Sequence, residues 1–278
     1  MQIARTLPEL RTACAALRAT APGLGLVPTM GALHAGHGAL VAASVASGAA
    51  TIASIFVNPL QFGPTEDLTR YPRDEAGDLA KLQAWGCDLV WLPGVETMYP
   101  ADGATTIVPA GPAEGWEGAA RPGHFRGVAT VVAKLFGQVG AQTVFFGEKD
   151  WQQLQVVRRM VADLHLPVAV IGVPTVREPD GLALSSRNRY LTTAERARAP
   201  TLHQALTRAA TTLARGAAAA SVLTTGRAAL ERDGFAVDYL ALVDGMSLRA
   251  IDAVRPGARL IVAARLGAVR LIDNIASG

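Results

Sequence analysis

Two histidines three residues apart, His34 and His37, end the run Leu26-Val27-Pro28-Thr29-Met30-Gly31-Ala32-Leu33-His34-Ala35-Gly36-His37. A short apolar stretch, Leu24 to Val27, precedes them, and an alanine-rich helical run from about Gly38 to Ser47 follows, so the pattern reads as strand, turn, helix. At a helix start the first backbone N–H groups have no internal partner and carry partial positive charge, which favours an anion. Gly31 and Gly36 permit close backbone approach, and each imidazole adds a donor that can point at a phosphate oxygen. These ingredients suit a nucleotide triphosphate. Two other readings stand beside it. The histidines can be satisfied by backbone at a helix start, or they can form a zinc pair, for which the remaining carboxylate or histidine ligands are missing nearby.

Three further polar groups sit just past predicted strands. Asn58 and Gln61 follow the β-branched run Thr51 to Val57; their amides offer donors and an acceptor to a hydroxyl or carboxylate, while Asn58 before Pro59 also reads simply as a turn. In Phe146-Gly147-Glu148-Lys149-Asp150-Trp151-Gln152-Gln153, Lys149 can supply a point charge, and Asp150 and Gln153 have the spacing of a capping pair. Leu184-Ser185-Ser186-Arg187-Asn188 offers two hydroxyls and a guanidinium, which match phosphate oxygens, while taken alone the block also reads as an ordinary Ser-rich loop with Arg187 solvated. Arg121 and His124 in Arg-Pro-Gly-His-Phe-Arg are candidates of the same kind; His165 and His203 read as structural. There is no Gly-x-Ser-x-Gly elbow, Walker loop, Gly-x-Gly-x-x-Gly or activated cysteine, so chemistry through a protein nucleophile is unsupported.

The elements that must position these groups follow from periodicity. Thr6, Pro8 and Glu9 form the start signal of a first helix running through Leu17. Strands are predicted at 24–27, 51–57, 88–92, 143–146 and 168–173, with helices at 38–47, 73–85, 125–139 and 151–164 between them. Gln61 to Tyr71 reads as a loop able to close over a ligand, and Gly111 to Gly123 as an irregular excursion. Strands alternating with helices argue for an α/β fold with a parallel sheet covered on both faces, and ligands of such sheets bind beyond the carboxyl ends of the strands. After about Val176 the order becomes two helices (193–213 and 217–232), then strands at 237–243, 260–264 and 269–272. That order predicts a smaller α+β domain, residues 176–278, after a first domain of residues 1–175.

Composition narrows the function classes. Half of the 278 residues are hydrophobic and 18% are charged, the balance of a globular protein. No apolar run approaches the ~20 residues of a membrane span, and no apolar core follows basic residues at the N-terminus, so a cytoplasmic protein without membrane partners is expected. Cys14 and Cys87 are too few for a disulfide framework and lack metal spacing. The net charge of +3 is spread along the chain, which does not indicate nucleic-acid binding and fits a small anionic substrate better.

Taken together, the blocks VPTMGALHAGH, FVNPLQFGPTEDLTRYPR, VETMYP, RPGHFRGV, FFGEKDWQQL and GLALSSRNRYLT, spread over residues 27 to 192, closely resemble the pantothenate synthetase (pantoate–β-alanine ligase) family. The resemblance implies a Rossmann-like sheet of the nucleotidylyltransferase and class I synthetase type, a C-terminal domain acting as a lid, and a homodimer. It implies that pantoate and ATP give enzyme-bound pantoyl adenylate and pyrophosphate, that β-alanine then attacks to give pantothenate and AMP, and that Mg²⁺ accompanies the ATP. Carried over by position, His34 and His37 would bind ATP phosphates, with Pro28, Met30 and Gly36 shaping the nucleotide site. Asn58, Gln61 and Gln153 would hold pantoate. Gly147, Lys149, Ser185, Ser186 and Arg187 would line or contact the phosphates. Asp150 would sit near the ribose, Arg121 near pantoate and Asp78 near the metal. His34, His37, Lys149 and Arg187 would carry the catalysis. The chain departs mildly from the pattern: Trp151 stands where Tyr or Phe is usual, and Gly38, where a larger residue is common, is expected to loosen the helix start.

Two rivals share part of the pattern. A nucleotidylyltransferase would use the histidines and a Ser/Arg loop but needs extra cations for a second phosphate, whereas Asn58, Gln61 and Gln153 make a neutral pocket. A non-catalytic nucleotide-binding protein would keep only the fold. Adenylation itself needs no general base, because a carboxylic acid with a pKa near ~4 is already ionised at neutral pH. The amine of β-alanine must lose a proton, and no residue in the sequence is an obvious base for it.

Overall fold

The first helix begins where its cap predicts. In the computed structural model, which describes residues 1–63 and 68–278, Thr6 Oγ1 accepts from Glu9 N at 3.4 Å and Glu9 Oε2 accepts from Thr6 N at 3.1 Å. This reciprocal box starts helix α1 (Leu7–Arg18). Strand β1 (Gln2–Ala4) precedes it and is not among the predicted strands; it is three residues long and carries no alternation to betray it. There follow β2 (Leu24–Thr29), α2 (Ala35–Ala46), β3 (Ala50–Ile55), α3 (Glu75–Ala84), β4 (Leu89–Trp91), α4 (Val95–Met98), α5 (Trp116–Ala120), α6 (His124–Val139), β5 (Thr143–Gly147), α7 (Trp151–Asp163) and β6 (Ala169–Val173).

These six strands form one sheet in the order β1-β4-β3-β2-β5-β6, and its pairs are parallel, as the alternation of strands and helices predicts. Val27, Ala53, Val90 and Phe145 of its strands pack with Leu33, Leu40 and Val41 around α2 and with Leu82 of α3. The chain runs from β2 to β3 to β4 on one side, then crosses to β5 on the other, so the strand order reverses between β2 and β5. Those two strands are paired only at Gly25–Thr143 and Leu26–Val144, and they part beyond that. Pro28, which has no N–H to give, therefore lies where the ladder to β5 has already ended, and it pairs in register with Ser54 on the β3 side. A crevice beyond the carboxyl ends at such a reversal is where open α/β sheets bind ligands.

The chain groups into two compact units, residues 1–148 with 156–174, and residues 149–155 with 175–278. Residues 149–155, which the sequence reading places in the first domain, thus group with the C-terminal part. The second unit contains a 3₁₀ turn (Ser186–Tyr190), α8 (Thr193–Arg198), α9 (Thr201–Ala214), α10 (Ala219–Arg232) and the antiparallel sheet β7-β8-β9 (Phe235–Asp244, Ala258–Leu266, Val269–Ala276). The helix predicted over 193–213 is interrupted at Pro200, whose fixed φ opens α9 as a new helix. Leu202, Leu206, Leu213 and Leu230 from the helices and Leu242, Leu260, Val262 and Leu271 from the sheet form its core.

Two packing details generate predictions. Gly127 of α6 lies against the turn after β3, and a Cβ there would collide with the Leu60 carbonyl oxygen and stand 2.6 Å from Gln61 N. Because both neighbours are backbone, Gly127→Ala is expected to lower unfolding stability by about 2 kcal/mol in denaturant titrations; an unchanged midpoint would show that the turn yields freely. In the second unit, Arg177 Nη1 and Nη2 donate to Asp273 Oδ2 and Oδ1 at 2.7 and 2.8 Å. Burial by itself raises the Asp273 carboxyl, but the His203 and Arg177 contacts outweigh it and hold the group below its ordinary value of 3.8. A carboxyl lowered on folding stabilises the fold fully above its unfolded value and progressively less as pH falls below it. Asp273→Asn should thus cost about 3 kcal/mol at pH 7. The gap to the wild type should narrow below pH 3.8, and urea midpoints at pH 7, 5 and 3 that differ by a constant amount would contradict this.

Candidate functional site

The turn between β2 and α2 is built from the inside out. Thr29 Oγ1 donates to the Ser54 carbonyl at 2.7 Å and accepts from Gly31 N at 3.2 Å. Gly31 and Ala32 then take φ values of +80° and +52°, a left-handed pair that turns the chain back toward α2. The buried Asp78 of α3 receives the next two amides: Ala32 N donates to Oδ2 at 2.7 Å and Leu33 N to Oδ1 at 2.8 Å. Lys81 Nζ donates to the Leu33 carbonyl at 2.9 Å and closes the turn.

The histidines cap the helix they begin. Gly36 N donates to His34 Nδ1 at 3.1 Å, and His34 N donates to His37 Nδ1 at 3.2 Å, a capping box made of two imidazoles. Their ring centroids are 4.2 Å apart. The helix therefore starts at Ala35, three residues before the predicted start. With Nδ1 accepting in both rings, the hydrogen-bond network assigns the proton of each neutral imidazole to Nε2. The first backbone amides of α2 are not orphaned, since Gly36 N serves the cap and His37 N donates to the His34 carbonyl at 2.8 Å. At Gly38 the space a Cβ would take lies 3.0 Å from Trp85 Cε2, so the indole of Trp85 covers it.

Past β3, Asn58 is buried and saturated. Its Oδ1 accepts from Tyr99 Oη at 2.7 Å and from Leu60 N at 3.2 Å, and its Nδ2 donates to Gln61 Oε1 at 3.0 Å and to the Gly127 carbonyl at 3.1 Å. Four bonds exhaust an amide, so Asn58 is fully used in holding Gln61 and its neighbours in place. Gln61 Nε2 donates to Met30 Sδ at 2.9 Å, which ties this turn to the histidine turn. The Gln61 carbonyl accepts from His124 Nδ1 at 2.9 Å and Arg121 Nη2 at 3.2 Å, and Arg121 Nη1 lies 3.1 Å from His124 Nε2. Burial pushes the Tyr99 phenol up to about 12, which keeps it a donor to Asn58 across the neutral range. Gly147 ends β5, and no described atom within 4 Å would meet a Cβ there.

The second unit carries the other predicted residues. Lys149 Nζ lies 3.7 Å from Asp150 Oδ1, and the Lys149 carbonyl accepts from Asn274 Nδ2 at 2.9 Å. Gln153 lies in the first turn of α7, half-buried. Trp151, in the place where Tyr or Phe is usual, donates Nε1–H to the Gly245 carbonyl at 2.6 Å and stacks under Arg259, whose guanidinium carbon is 3.3 Å from the ring centroid. Phenylalanine has no such donor. Ser185 Oγ accepts from Arg187 N at 3.3 Å and caps the 3₁₀ turn that Ser186 and Arg187 begin.

The first unit thus gathers Pro28, Met30, His34, Gly36, His37, Asn58, Gln61, Arg121 and Gly147 beyond the ends of β2, β3 and β5, and the second holds Lys149, Asp150, Gln153, Ser185, Ser186 and Arg187. Asp78, read from resemblance as a neighbour of the metal, has each carboxylate oxygen on a backbone amide of the histidine turn, and among the described residues no group of three or more His, Cys, Asp or Glu is placed to hold a metal ion. Of the closing loop predicted over 61–71, residues 64–67 lie outside the described residues. Sequence reasoning misses Tyr99 and Gly127 as supports of Gln61. Tyr99 sits in a recognisable block, Val95 to Pro100, but nothing in its spacing announces a bond to a residue 41 positions away. Among the described residues no helix is long and apolar enough to cross a membrane.

Comparison with known proteins agrees with this architecture. The family model "Pantoate-beta-alanine ligase" matches residues 2–276. The chain is 58% identical over 277 residues to a pantothenate synthetase of Granulibacter bethesdensis, covering 99% of this chain and 96% of that one. The crystal structure of a pantothenate synthetase from Thermus thermophilus superposes with a TM-score of 0.93 at 51% identity, over 100% of this chain and 99% of that one. The pantoate–β-alanine ligase of Francisella tularensis, solved in complex with βγ-ATP and β-alanine, gives a TM-score of 0.85 at 31% identity, over 100% and 98% of the two chains. With a family model spanning nearly every residue and a relative at 58% identity, the chain belongs to the pantoate–β-alanine ligase family.

Proposed function

We propose that the residues described above carry out the family's reaction, the ATP-dependent condensation of pantoate with β-alanine through an enzyme-bound pantoyl adenylate, with release of pyrophosphate and AMP. The observation that carries the assignment of roles is the imidazole capping box. It turns His34 and His37 into two donors whose Nδ1 atoms are committed to the helix and whose Nε2–H groups lie on the far side of each ring. Donors fixed in this way before the substrate arrives stabilise charge that develops on a phosphate without having to reorganise.

In the first step the pantoate carboxylate attacks the α-phosphorus of ATP and pyrophosphate leaves. The attacking group is already ionised, so the protein's task is alignment and neutralisation of charge. His34, His37, Lys149 and Arg187 neutralise the phosphates, and Ser185 and Ser186 add hydroxyl donors. Pro28, Met30, Gly36 and Gly147 shape the nucleotide site, and Asp150 faces the ribose. Gln61 and Gln153 hold pantoate, with Arg121 at its approach; Asn58, which resemblance casts as a direct contact, acts by orienting Gln61. Mg²⁺ belongs to the nucleotide substrate, its charge offsetting that of the phosphates. Asp78 serves by holding the histidine turn. In the second step the β-alanine amine attacks the acyl carbon and AMP leaves, the amine proton passing to solvent. The acyl adenylate is prone to hydrolysis, which gives the C-terminal unit a reason to act as a lid. A homodimer is the assembly that the resemblance implies.

The neutral Asn58–Gln61 pair favours this reaction over transfer of a nucleotidyl group to a second phosphate, which would call for more cations there. Pyrophosphate release from the purified protein with ATP and Mg²⁺ should require pantoate, and pantothenate and AMP should appear only after β-alanine is added. Release without pantoate, or none from folded protein that binds ATP, would overturn the reading. For the residue roles, His34→Asn keeps an N-cap acceptor while removing the Nε2 donor, and Lys149→Ala removes the point charge. Each should lower kcat by roughly 10²- to 10³-fold with the melting temperature nearly unchanged, and wild-type turnover in either variant would remove that residue from the machinery.

A further inference from the structure

The C-terminal strand β9 holds two adjacent buried polar residues that the mechanism above does not use, Asp273 and Asn274. Neighbouring residues of a strand face opposite sides of the sheet. Asp273 shares its parity with Val269 and Leu271 of the apolar core, on the side where α9 brings His203 Nδ1 to 3.4 Å from Asp273 Oδ2. Asn274 lies on the other face, where Arg259 of β8 donates to its Oδ1. Arginine only donates, so this contact fixes the amide's orientation and turns Nδ2 toward the Lys149 carbonyl, 2.9 Å away.

Each residue reaches one of the two segments assigned to the phosphates. Through Asp273 the strand grips Arg177 bidentately, and Arg177 in turn donates to the Gly181 carbonyl at 3.1 Å. Arg177 and Ala183 form an antiparallel bridge, flanked by Leu184 N donating to the Val176 carbonyl at 3.0 Å and Glu178 N to the Leu182 carbonyl at 2.8 Å. That short hairpin leads directly into Ser185, Ser186 and Arg187, and Asn188 Nδ2 returns to the Ala183 carbonyl at 3.0 Å. Through Asn274 the same strand holds the backbone of Lys149, while Arg259, its diagonal neighbour on β8, stacks on Trp151 two residues further on. Asn274 N also donates to Asp273 Oδ1 at 2.7 Å, so the two anchors are themselves linked.

We infer that Asp273 and Asn274 are positioning residues for adenylate formation, fixing Lys149 and the Ser185–Arg187 segment relative to one another within the C-terminal unit. The inference rests on the proposal that those segments contact the ATP phosphates. Solubility or core packing alone asks for no polar pair at this point in a strand whose other inward residues are apolar, and the pair connects two segments that are more than 30 residues apart in the chain.

The sharpest variant is Asn274→Asp, which keeps the size and the acceptor for Arg259 but replaces the donor to Lys149 by a carboxylate oxygen. In a single-turnover measurement of pantoate-dependent pyrophosphate release, the rate should fall by about 10- to 100-fold, with the burst amplitude and the KM for pantoate within about 2-fold of wild type. A loss of amplitude at unchanged rate means a smaller folded fraction and overturns the inference. So does an unchanged rate. In a Lys149→Ala background the same change should cost less than about 2-fold, because the group it positions is gone; additive losses would overturn the route through Lys149. Asp238→Asn, which breaks the ion pair with Arg270 on the same sheet, serves as the control and should leave the rate at the wild-type value. If wild-type protein shows no pantoate-dependent release at all, the proposed function fails before the inference is tested, so the two failures are told apart.

Discussion

The contact on which the histidine turn depends is the one between the Asp78 carboxylate and the amides of Ala32 and Leu33. Ala32 has a left-handed backbone, a conformation that costs an L-residue with a Cβ roughly 1–2 kcal/mol. Two hydrogen bonds to an ionised acceptor, each worth about 1.5–3 kcal/mol, are enough to offset that. Together with the Thr29 and Lys81 contacts they hold the bend after β2, from which His34 arrives in the extended conformation, φ −138° and ψ 176°, that caps α2. The carboxylate acts one step behind the two imidazoles, through the backbone that carries them.

The same arrangement recurs at Gln61. Asn58 spends four hydrogen bonds to hold Gln61, and Gly127 has no side chain so that α6 can come within reach of the Gln61 backbone. The Gln61 carbonyl is bonded in turn by His124 and Arg121. A buried amide with every donor and acceptor used has no alternative orientation of similar energy, since any rotation would leave a polar atom unpaired at about 1–3 kcal/mol. Rigidity here comes from saturation.

Much of this is legible in the sequence, and what is not shares one cause. The parallel sheet, the capped first helix and the strand, turn, helix module at His34 all follow from local patterns: alternating element types, Thr6 with Glu9, and an apolar run ending at a glycine turn. The true start of α2 is hidden because Gly36 and Gly38 disguise its first turn and because histidine is not among the usual N-cap residues. A single long helix over 193–213 ignores Pro200, the one residue in it that opens a new helix. Illegible altogether are the partners of Asp78, Asn58 and Asp273, which lie 45, 69 and 96 positions away in the chain. Spacing rules reach about one helical turn or one hairpin, and these bonds are made only when elements distant in sequence have packed. Asp78 shows the consequence: resemblance singles it out, but only its neighbours say what its carboxylate does.

Side chains of different stiffness call for different anchors. An imidazole is a rigid ring with two nitrogens, so committing Nδ1 to the helix cap also sets the direction of Nε2. Lysine and arginine each carry about 2 kcal/mol of rotamer entropy, and no cap can aim a long flexible stem in that way. What the fold can fix for them is the backbone from which they spring, and this is how the C-terminal unit treats them: a hydrogen bond to the Lys149 carbonyl, and a hairpin clamped by Arg177 ahead of Arg187. On the proposed roles, the flexible cations would take their final aim from the nucleotide's charge, and the C-terminal strand, by holding their backbone, would shorten the search those two side chains must make.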